Sequence, residues 1–206
     1  MIAIIDYGMG NVRSIINALY YIGYDAVITA EPQQIDDASH IILPGVGAFG
    51  DAMVNIVRRG LDEILKKQVF EKGKPFMGIC LGLQLLAKCS EEHGHHNGLG
   101  WFDAEVLKFN LNGSRLKIPH MGWNEITPAS DHFLFSHLKN TERTFYFVHS
   151  FHIVCHKQND VAATCEYGIN FNAAIARDNI VATQFHPEKS QDNGIQVLKN
   201  FLEWNP

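Results

Sequence analysis

Short apolar runs alternate with amphipathic segments over the first ninety residues of the chain. Buried strands are predicted at the apolar runs, which cover residues 2–5, 26–28, 41–43 and 75–79. Helices are predicted where apolar residues recur at helical spacing, at Ile15, Ile16, Leu19 and Tyr20, at Met53, Val54, Val57, Leu61, Ile64 and Leu65, and over residues 80–87. Strands that alternate with helices favour a parallel sheet with crossover helices on its faces.

After about residue 94 the segments become short, rich in β-forming residues and separated by turns such as Asn112-Gly113. Strands of a mostly antiparallel set are predicted around residues 101–109, 115–118, 144–154, 161–166, 172–177 and 180–185. The spacing of Ile195, Leu198, Phe201 and Leu202 predicts a closing helix. The predicted architecture is a single α/β domain over residues 1–206, in which helices flank a mostly parallel sheet with an antiparallel β extension.

Composition narrows the classes of protein that fit this pattern. Hydrophobic residues make up 46% of the 206 residues and charged residues 19%, as in compact globular chains. The 17 basic and 22 acidic residues give a net charge of −5, which argues against nucleic acid as a partner. No apolar run is long enough to span a membrane, no signal peptide is recognisable, and the four cysteines are too scattered for a disulfide framework. We therefore expect a soluble, cytoplasmic protein without a membrane partner.

Cys80 is the first candidate for chemistry, because it lies between a predicted strand and a predicted helix in the segment Gly78-Ile79-Cys80-Leu81-Gly82. A nucleophile on a sharp strand-to-helix turn needs small neighbours, since the backbone there is strained and crowded. The start of a helix also favours a thiolate. The alternative is an inert buried thiol, which is what most lone cysteines are.

His186 and Glu188 form the second candidate, directly after the apolar run at residues 180–183. In an extended chain these two side chains point to the same side. A carboxylate there can hold the imidazole in one tautomer, so that the other ring nitrogen exchanges a proton with a thiol. The alternative is a structural histidine. Together with the cysteine turn, the pattern predicts a Cys80-His186-Glu188 triad.

A thioester mechanism also needs hydrogen-bond donors for a tetrahedral oxyanion. The N–H of Leu81 is one candidate, and the glycine-rich segment 44–50 after the third strand offers the other. The glycines on either side of Val46 make rotation of that peptide easy, so this segment is also a candidate switch. The same segment spells GxGxxG, but it follows the third strand and lacks a suitably placed acidic residue, which disfavours a dinucleotide site.

Three other clusters leave alternatives open. The histidines of the segment 93–96 fit either a metal site or a solvated loop, and without a thiolate pair beside them we expect no metal. Segments 120–124 and 146–151 are dense in aromatic and polar residues. They fit either core packing or a substrate or partner surface, and spacing alone does not decide.

Two motifs resemble those of the class I glutamine amidotransferases: G-I-C-L-G-L-Q at residues 78–84 and Q-F-H-P-E-K-S at residues 184–190. Four further segments are similar to those of the glutaminase subunits of imidazole glycerol phosphate synthases: D-Y-G-M-G-N (6–11), P-G-V-G-A-F (44–49), P-H-M-G-W-N (119–124) and Y-F-V-H-S (146–150). The resemblance runs from residue 2 to about residue 202. It implies a flavodoxin-like fold and the hydrolysis of glutamine to glutamate and ammonia, without a cofactor.

The resemblance also implies roles for individual residues. Cys80 would be the nucleophile, His186 the acid and base, and Glu188 the group that orients the histidine. The other implied positions are the oxyanion donors Val46 and Leu81, the substrate-binding residues Gly47, Gln84, Ser150 and Phe151, and the partner-facing residues Asn11, Trp123, Tyr146 and Lys189. The partner would be a (β/α)8-barrel cyclase in a heterodimer. It would receive ammonia through a channel and make imidazole glycerol phosphate and an aminoimidazole-carboxamide ribotide in histidine biosynthesis.

Three other functions remain compatible with these residues. A paralogous glutaminase could supply ammonia to a surface-polysaccharide sugar amidotransferase. Segment 93–97 keeps this alternative open, because a shorter glycine-rich loop is expected there in a histidine-pathway subunit. A stand-alone Cys-His hydrolase would be active without a partner. A non-catalytic binding module would not need to retain all three triad residues.

Overall fold

The computed structural model describes residues 1–111, 113, 115–138 and 143–206, so Asn112 of the predicted turn lies outside the described residues. The strands are β1 (Ile2–Ile5), β2 (Ala26–Thr29), β3 (His40–Gly45), β4 (Phe76–Cys80), β5 (Cys89–Ser90), β6 (His96–Asn97), β7 (Ala104–Lys108), β8 (His120–Pro128), β9 (Thr144–His149), β10 (Phe151–Cys155), β11 (Val161–Glu166), β12 (Asn170–Arg177) and β13 (Ile180–Thr183). The helices are α1 (Val12–Tyr21), α2 (Pro32–Asp37), α3 (Phe49–Arg58), α4 (Leu61–Lys66), α5 (Leu81–Gln84) and α6 (Gln191–Leu202). None of these described helices is long and apolar enough to cross a membrane.

Nine strands form one sheet in the order β2-β1-β3-β4-β13-β12-β11-β8-β9. The strands from β2 to β13 are parallel, and their order is that of flavodoxin-like folds. The remaining four pair antiparallel. A second sheet has the order β10-β7-β5-β6. The predicted α/β class, with a parallel sheet flanked by helices and an antiparallel extension, is therefore confirmed.

The parallel strands are apolar throughout because both faces of the sheet are covered. In β1, Ile2 and Ile4 belong to one buried cluster, and Ala3 and Ile5 belong to the other. Helices α1 and α6 contribute to the first cluster, and helices α2, α3 and α4 contribute to the second. This layering fixes the carboxyl ends of the parallel strands at one edge of the sheet.

Two helix predictions were wrong in their extent. The apolar stripe at residues 53–65 is divided between α3 and α4, because Gly60 adopts a left-handed conformation (φ 66°) that ends the first helix. The helix predicted over 80–87 is limited to α5. Beyond α5 the carbonyls of Leu85, Leu86 and Ala87 accept hydrogen bonds from the backbone of residues 99–102, so the helix does not continue.

The predictions for the β-rich half also need correction. Residues 180–183 form β13, which pairs parallel with β4 and antiparallel with β12, so it completes the parallel sheet. Residues 115–118 form no strand; β8 begins after Pro119, which has no N–H to donate to a ladder. The stretch 144–154 contains two strands, β9 and β10, which belong to different sheets.

Candidate active site

The predicted chemical residues meet where three neighbouring parallel strands end. Gly45 of β3 lies opposite Cys80 of β4, and Ile79 of β4 lies opposite Thr183 of β13. Crevices at the carboxyl ends of parallel strands are the usual ligand sites of such sheets. A cavity of about 420 Å³ opens there, lined by Val46, Gly47, Cys80, Leu81, Gln84, Glu92, Pro119, Val148, His149, Ser150, Phe151 and His186.

Cys80 has the strained backbone that the motif predicts. Its φ of 56° and ψ of −107° lie outside the regions that most non-glycine residues adopt. Glycine is required at position 82, because a Cβ there would lie 1.9 Å from the carbonyl oxygen of Leu43. The helix that follows has only four residues, so its dipole is a smaller aid to a thiolate than the sequence suggests.

The structure brings His186 and Glu188 into contact, through a turn of 3-10 helix over Pro187–Lys189 in place of the extended chain that was predicted. The Nδ1–H of His186 donates to Oε1 of Glu188 at 2.8 Å, and the two side chains are only 2% and 1% exposed. Ser190 holds this turn, because its hydroxyl donates to the carbonyl of His186 at 2.6 Å and accepts from the N–H of Tyr146 at 2.9 Å.

The electrostatics of His186 favour the imidazolium. Burial by itself disfavours the charged ring, but the negative charge of a Cys80 thiolate and the hydrogen bond and charge of Glu188 outweigh it and raise the pKa of His186 well above its ordinary value. With Nδ1 committed to Glu188, Nε2 is the nitrogen that remains for proton exchange. It is buried and makes no hydrogen bond of ordinary length to the described residues.

The two positions beside Val46 require glycine for different structural reasons. A Cβ at Gly45 would lie 2.5 Å from the hydroxyl of Tyr7 and 2.7 Å from Cβ of Leu81, so this position needs a residue without a side chain. Gly47 has a φ of 99°, which favours glycine. The backbone freedom of the segment therefore lies at Gly47, and a bulky residue at position 45 would disturb the core instead.

The four predicted substrate-binding residues all line the cavity. Gln84 uses its amide nitrogen internally, because Nε2 donates to the carbonyl of Phe151 at 2.9 Å and to Oε1 of Gln184 at 3.1 Å. Its carbonyl oxygen, which bonds to none of the described residues, is left for a ligand and can only accept a hydrogen bond.

Sequence reasoning missed Glu92 and His149, which also line the cavity. Oε2 of Glu92 accepts a hydrogen bond of 2.7 Å from the N–H of Phe49, at the start of α3. This carboxylate occupies the place where a dinucleotide phosphate would bind after GxGxxG, which speaks against that alternative. No local signal marks Glu92, whereas His149 lies in a segment whose density of polar and aromatic residues already suggested a pocket.

His149 forms a hydrogen-bonded pair with a second buried histidine, His120. The Nδ1–H of His149 donates to the carbonyl of Phe151 at 2.7 Å, so its Nε2 accepts from Nδ1 of His120 at 3.1 Å. His120 stacks on Tyr167 with ring centroids 3.9 Å apart. Burial lowers the pKa of His120 to about 4. Burial, only partly opposed by the hydrogen bond to Phe151, lowers the pKa of His149 to about 3. These two histidines are neutral at pH 7.

The histidines at 93–96 do not converge on a common point. Among the described residues, no group of three histidine, cysteine, aspartate or glutamate side chains is arranged to hold a metal ion. The ring of His96 instead packs on Gly50, where a Cβ would lie 2.6 Å from its Cε1. All four cysteines carry free thiols.

Three of the four residues with a predicted partner role lie side by side on the surface. Trp123 of β8 lies opposite Tyr146 of β9, and their ring centroids are 6.1 Å apart. The ammonium group of Lys189 lies 5.8 Å from the centre of the Tyr146 ring. Asn11 directly precedes α1, and α1 packs against the turn that carries Lys189. Trp123 is 49% exposed, which is unusual for so large an apolar side chain.

Comparison with known proteins identifies the family of the chain. The sequence model of the family described as "Glutamine amidotransferase class-I" matches residues 3–204. The structure of PurLQS from Thermotoga maritima is 21% identical and superposes with a TM-score of 0.74, over 98% of this chain and 96% of that one, which supports the fold. The chain belongs to the class I glutamine amidotransferase family.

Curated relatives narrow the family. The chain is 55% identical over its whole length to the imidazole glycerol phosphate synthase subunit HisH 2 of Nitrobacter winogradskyi, of which it covers 99%. It is 48% identical to subunit HisH of Syntrophotalea carbinolica, with 98% of each chain covered. It is 45% identical to subunit HisH 2 of Pseudomonas aeruginosa, with 98% of this chain and 99% of that one covered. Within the family, the chain belongs with the HisH subunits of imidazole glycerol phosphate synthase, as its motifs predicted.

Proposed function

We propose that the chain is a glutaminase subunit of imidazole glycerol phosphate synthase. It acts in the cytoplasm as a single amidotransferase domain, hydrolyses glutamine to glutamate and ammonia, and passes the ammonia to a (β/α)8-barrel cyclase subunit in histidine biosynthesis. The observation that carries this proposal is the buried contact of His186 with Glu188 beside the strained Cys80, in one cavity. The curated relatives supply the pathway.

In the first half of the reaction, the Cys80 thiolate attacks the side-chain amide carbon of glutamine. The electron pair of the amide C=O moves to oxygen, and the N–H groups of Val46 and Leu81 receive the oxyanion. When the intermediate collapses, the C–N bond breaks and Nε2 of His186 gives its proton to the leaving nitrogen. The products of this half are ammonia and a thioester on Cys80.

In the second half, water attacks the thioester carbon and the now neutral His186 takes the proton from the water. Collapse of the second tetrahedral intermediate breaks the C–S bond, which releases glutamate and restores the thiolate. The charge of Glu188 stabilises the imidazolium in both halves, and the contact with Nδ1 keeps the reactive nitrogen directed at the sulfur.

The cavity lining also suggests how glutamine is oriented. The free carbonyl oxygen of Gln84 and the carboxylate of Glu92 are acceptors, so they suit the α-ammonium group of the substrate. Ser150 and Phe151 line the same cavity, and their backbone is assigned to the α-carboxylate and side chain of the substrate. This arrangement places the amide of the substrate toward Cys80.

The partner surface is connected to the triad by short contacts. The backbone N–H of His186 donates to the carbonyl of Tyr146 at 2.9 Å, and Lys189 lies one residue after Glu188. A cyclase seated on Trp123, Tyr146 and Lys189 would therefore touch the strand and the turn that hold the histidine. This proximity supports a glutaminase whose rate depends on its partner.

The test measures glutamate release from glutamine, with and without a histidine-pathway cyclase and its nucleotide ligand. We expect strong stimulation by the liganded cyclase and its loss in Cys80→Ala, while Cys165→Ala retains it. A rate that this cyclase fails to raise would favour the sugar-amidating paralogue. High activity of the chain alone would favour a stand-alone hydrolase.

A further inference from the structure

Gln184 is a buried polar residue to which neither the triad nor the oxyanion site assigns a role. It follows β13 directly and its side chain is fully buried. Its amide nitrogen lies 3.8 Å from Sγ of Cys80, and its amide oxygen accepts from Gln84 at 3.1 Å. A buried amide of this kind needs partners for both of its ends, and here one of them is the reacting sulfur.

The direction of these hydrogen bonds follows from the groups themselves. The carbonyl of Phe151 can only accept, so the Gln84 atom that faces it at 2.9 Å is the NH2 group. The same nitrogen then donates to Gln184, so the Gln184 atom that faces Gln84 is its oxygen. The NH2 group of Gln184 therefore points at Cys80.

We propose that Gln184 is a further catalytic residue, which donates a hydrogen bond to the Cys80 sulfur and favours its thiolate form. The proposal rests on the proposed role of Cys80 as the nucleophile. An N–H donor directed at sulfur is worth more to a charged thiolate than to a neutral thiol. A second contact opposes it, because the Cys80 thiol can donate to the carbonyl of Val148 at 4.0 Å. Gln184 offsets that preference for the neutral form.

Other titratable groups near the Cys80 sulfur also influence its ionisation. His186 lies on the turn after β13. Burial, together with the nearby charge of Cys80, raises the pKa of the Tyr7 hydroxyl. His149 and Glu92 line the same cavity, and Glu188 lies behind His186. A variant at position 184 leaves all of these in place, so its effect on the sulfur is separable.

The experiment follows the alkylation of Cys80 by iodoacetamide as a function of pH in the whole protein, mapped by peptide mass. The variants are Gln184→Met, which removes both the donor to sulfur and the acceptor of Gln84, and Gln184→Glu, which keeps an acceptor for Gln84 but replaces the NH2 group with an oxygen. Gln68→Met is the matched control, because Gln68 is also a buried glutamine (4% exposed) but bonds to Asp36, away from this cavity. Thermal unfolding of each variant checks that it is folded.

We expect the pH midpoint of alkylation in Gln184→Met to move upward by about one unit, so that the variant reacts up to about tenfold more slowly below the midpoint and rejoins the wild-type rate at high pH. Gln184→Glu moves the midpoint further, and Gln68→Met leaves it unchanged. In glutamine hydrolysis by Gln184→Glu, which keeps the acceptor for Gln84, the loss falls on kcat with little change in KM. If either folded Gln184 variant shows the wild-type pH profile, the role of Gln184 is wrong while Cys80 remains the nucleophile. If Cys80 of the wild type reacts no faster than Cys89, the nucleophile itself is wrong, and the role of Gln184 with it.

Discussion

His186 and His149 line the same cavity and are both almost completely buried, yet their protonation differs. His186 faces a buried carboxylate and the Cys80 sulfur, and its pKa is raised. His149 faces another histidine and a backbone carbonyl, and its pKa is lowered to about 3. Burial is therefore common to both sites, and the neighbouring charge decides the outcome.

The comparison explains how one pocket can hold a reactive imidazole and an inert one. His120 donates to His149, His149 donates to the carbonyl of Phe151, and Gln84 donates to the same carbonyl. The charged His186 instead has a ring nitrogen left for proton transfer. The neutral pair of His120 and His149 positions the cavity wall, and the charged His186 takes part in the chemistry.

The largest expected effect comes from removing the reactive ring. His186→Asn should lower glutamate release by roughly 10³-fold or more, because both proton transfers lose their carrier. The control is His40→Gln, since His40 is a half-buried histidine at the opposite end of β3. We expect the control to stay within about twofold of the wild type. Comparable losses in the two variants would show that His186 has no special role.

A smaller loss should follow when the ring stays and its partner loses charge. Glu188→Gln keeps an acceptor for Nδ1 but removes the carboxylate, so the pKa of His186 should fall and kcat should drop roughly 10²-fold, with little change in KM. Steady-state kinetics at saturating cyclase measures the two constants. A loss confined to KM would contradict the assigned role of the carboxylate.

The neutral pair predicts a loss of stability in acid. The folded pKa values of His120 and His149, about 4 and about 3, lie below the unfolded value of 6.5, so the unfolded chain binds more protons as the pH falls. Their contribution is complete above pH 6.5 and is lost as the pH falls toward the folded values. His186 has the opposite sign, because its raised pKa makes its contribution complete below pH 6.5 and lost toward alkaline pH.

Urea unfolding of His120→Phe at pH 7.5, 6 and 5 measures this loss. Phenylalanine keeps the stack on Tyr167 but cannot titrate, so the acid-side slope should decrease by up to about 1.4 kcal/mol per pH unit. The absolute stability at pH 7.5 should also fall, since Nε2 of His149 loses its donor. An unchanged slope would mean that His120 is not the titrating group.

The smallest effect is expected where a histidine has carboxylate neighbours but no burial. His156 is 50% exposed, and its ring nitrogens lie 3.3 Å from Asp103 and 3.5 Å from Glu105. His156→Gln should change the free energy of unfolding by less than about 1 kcal/mol and leave glutamate release unchanged. A larger effect in either assay would show that a carboxylate neighbour matters even without burial.

The sequence predicted those features that depend on residues close together in the chain. The alternation of strands and helices predicted the parallel sheet, and the glycines around Cys80 predicted a turn at which the structure finds a strained backbone. The motif around His186 predicted its contact with Glu188, although a 3-10 turn makes that contact. In both cases the interacting residues are within a few positions of each other.

Long-range pairing could not be predicted in the same way. The sequence of β13 resembles those of the neighbouring antiparallel strands. What distinguishes β13 is its parallel pairing with β4, about a hundred residues earlier in the chain. Glu92 reaches the cavity because its loop folds onto the start of α3. The pattern of apolar residues along the sequence does not indicate this contact. Gln184 adjoins the histidine motif, but its importance depends on contacts with Cys80 and Gln84 that only the folded chain brings together.

The most direct test of the contrast between the two histidines is the ¹⁵N chemical shifts of the histidine rings at pH 7, with His186→Asn and His149→Gln as assignment variants. The account predicts that both ring nitrogens of His186 carry protons, and that His149 carries a proton on Nδ1 only. A neutral His186 beside an intact Glu188 would contradict it, because burial would then outweigh the charges that are proposed to prepare the site for catalysis.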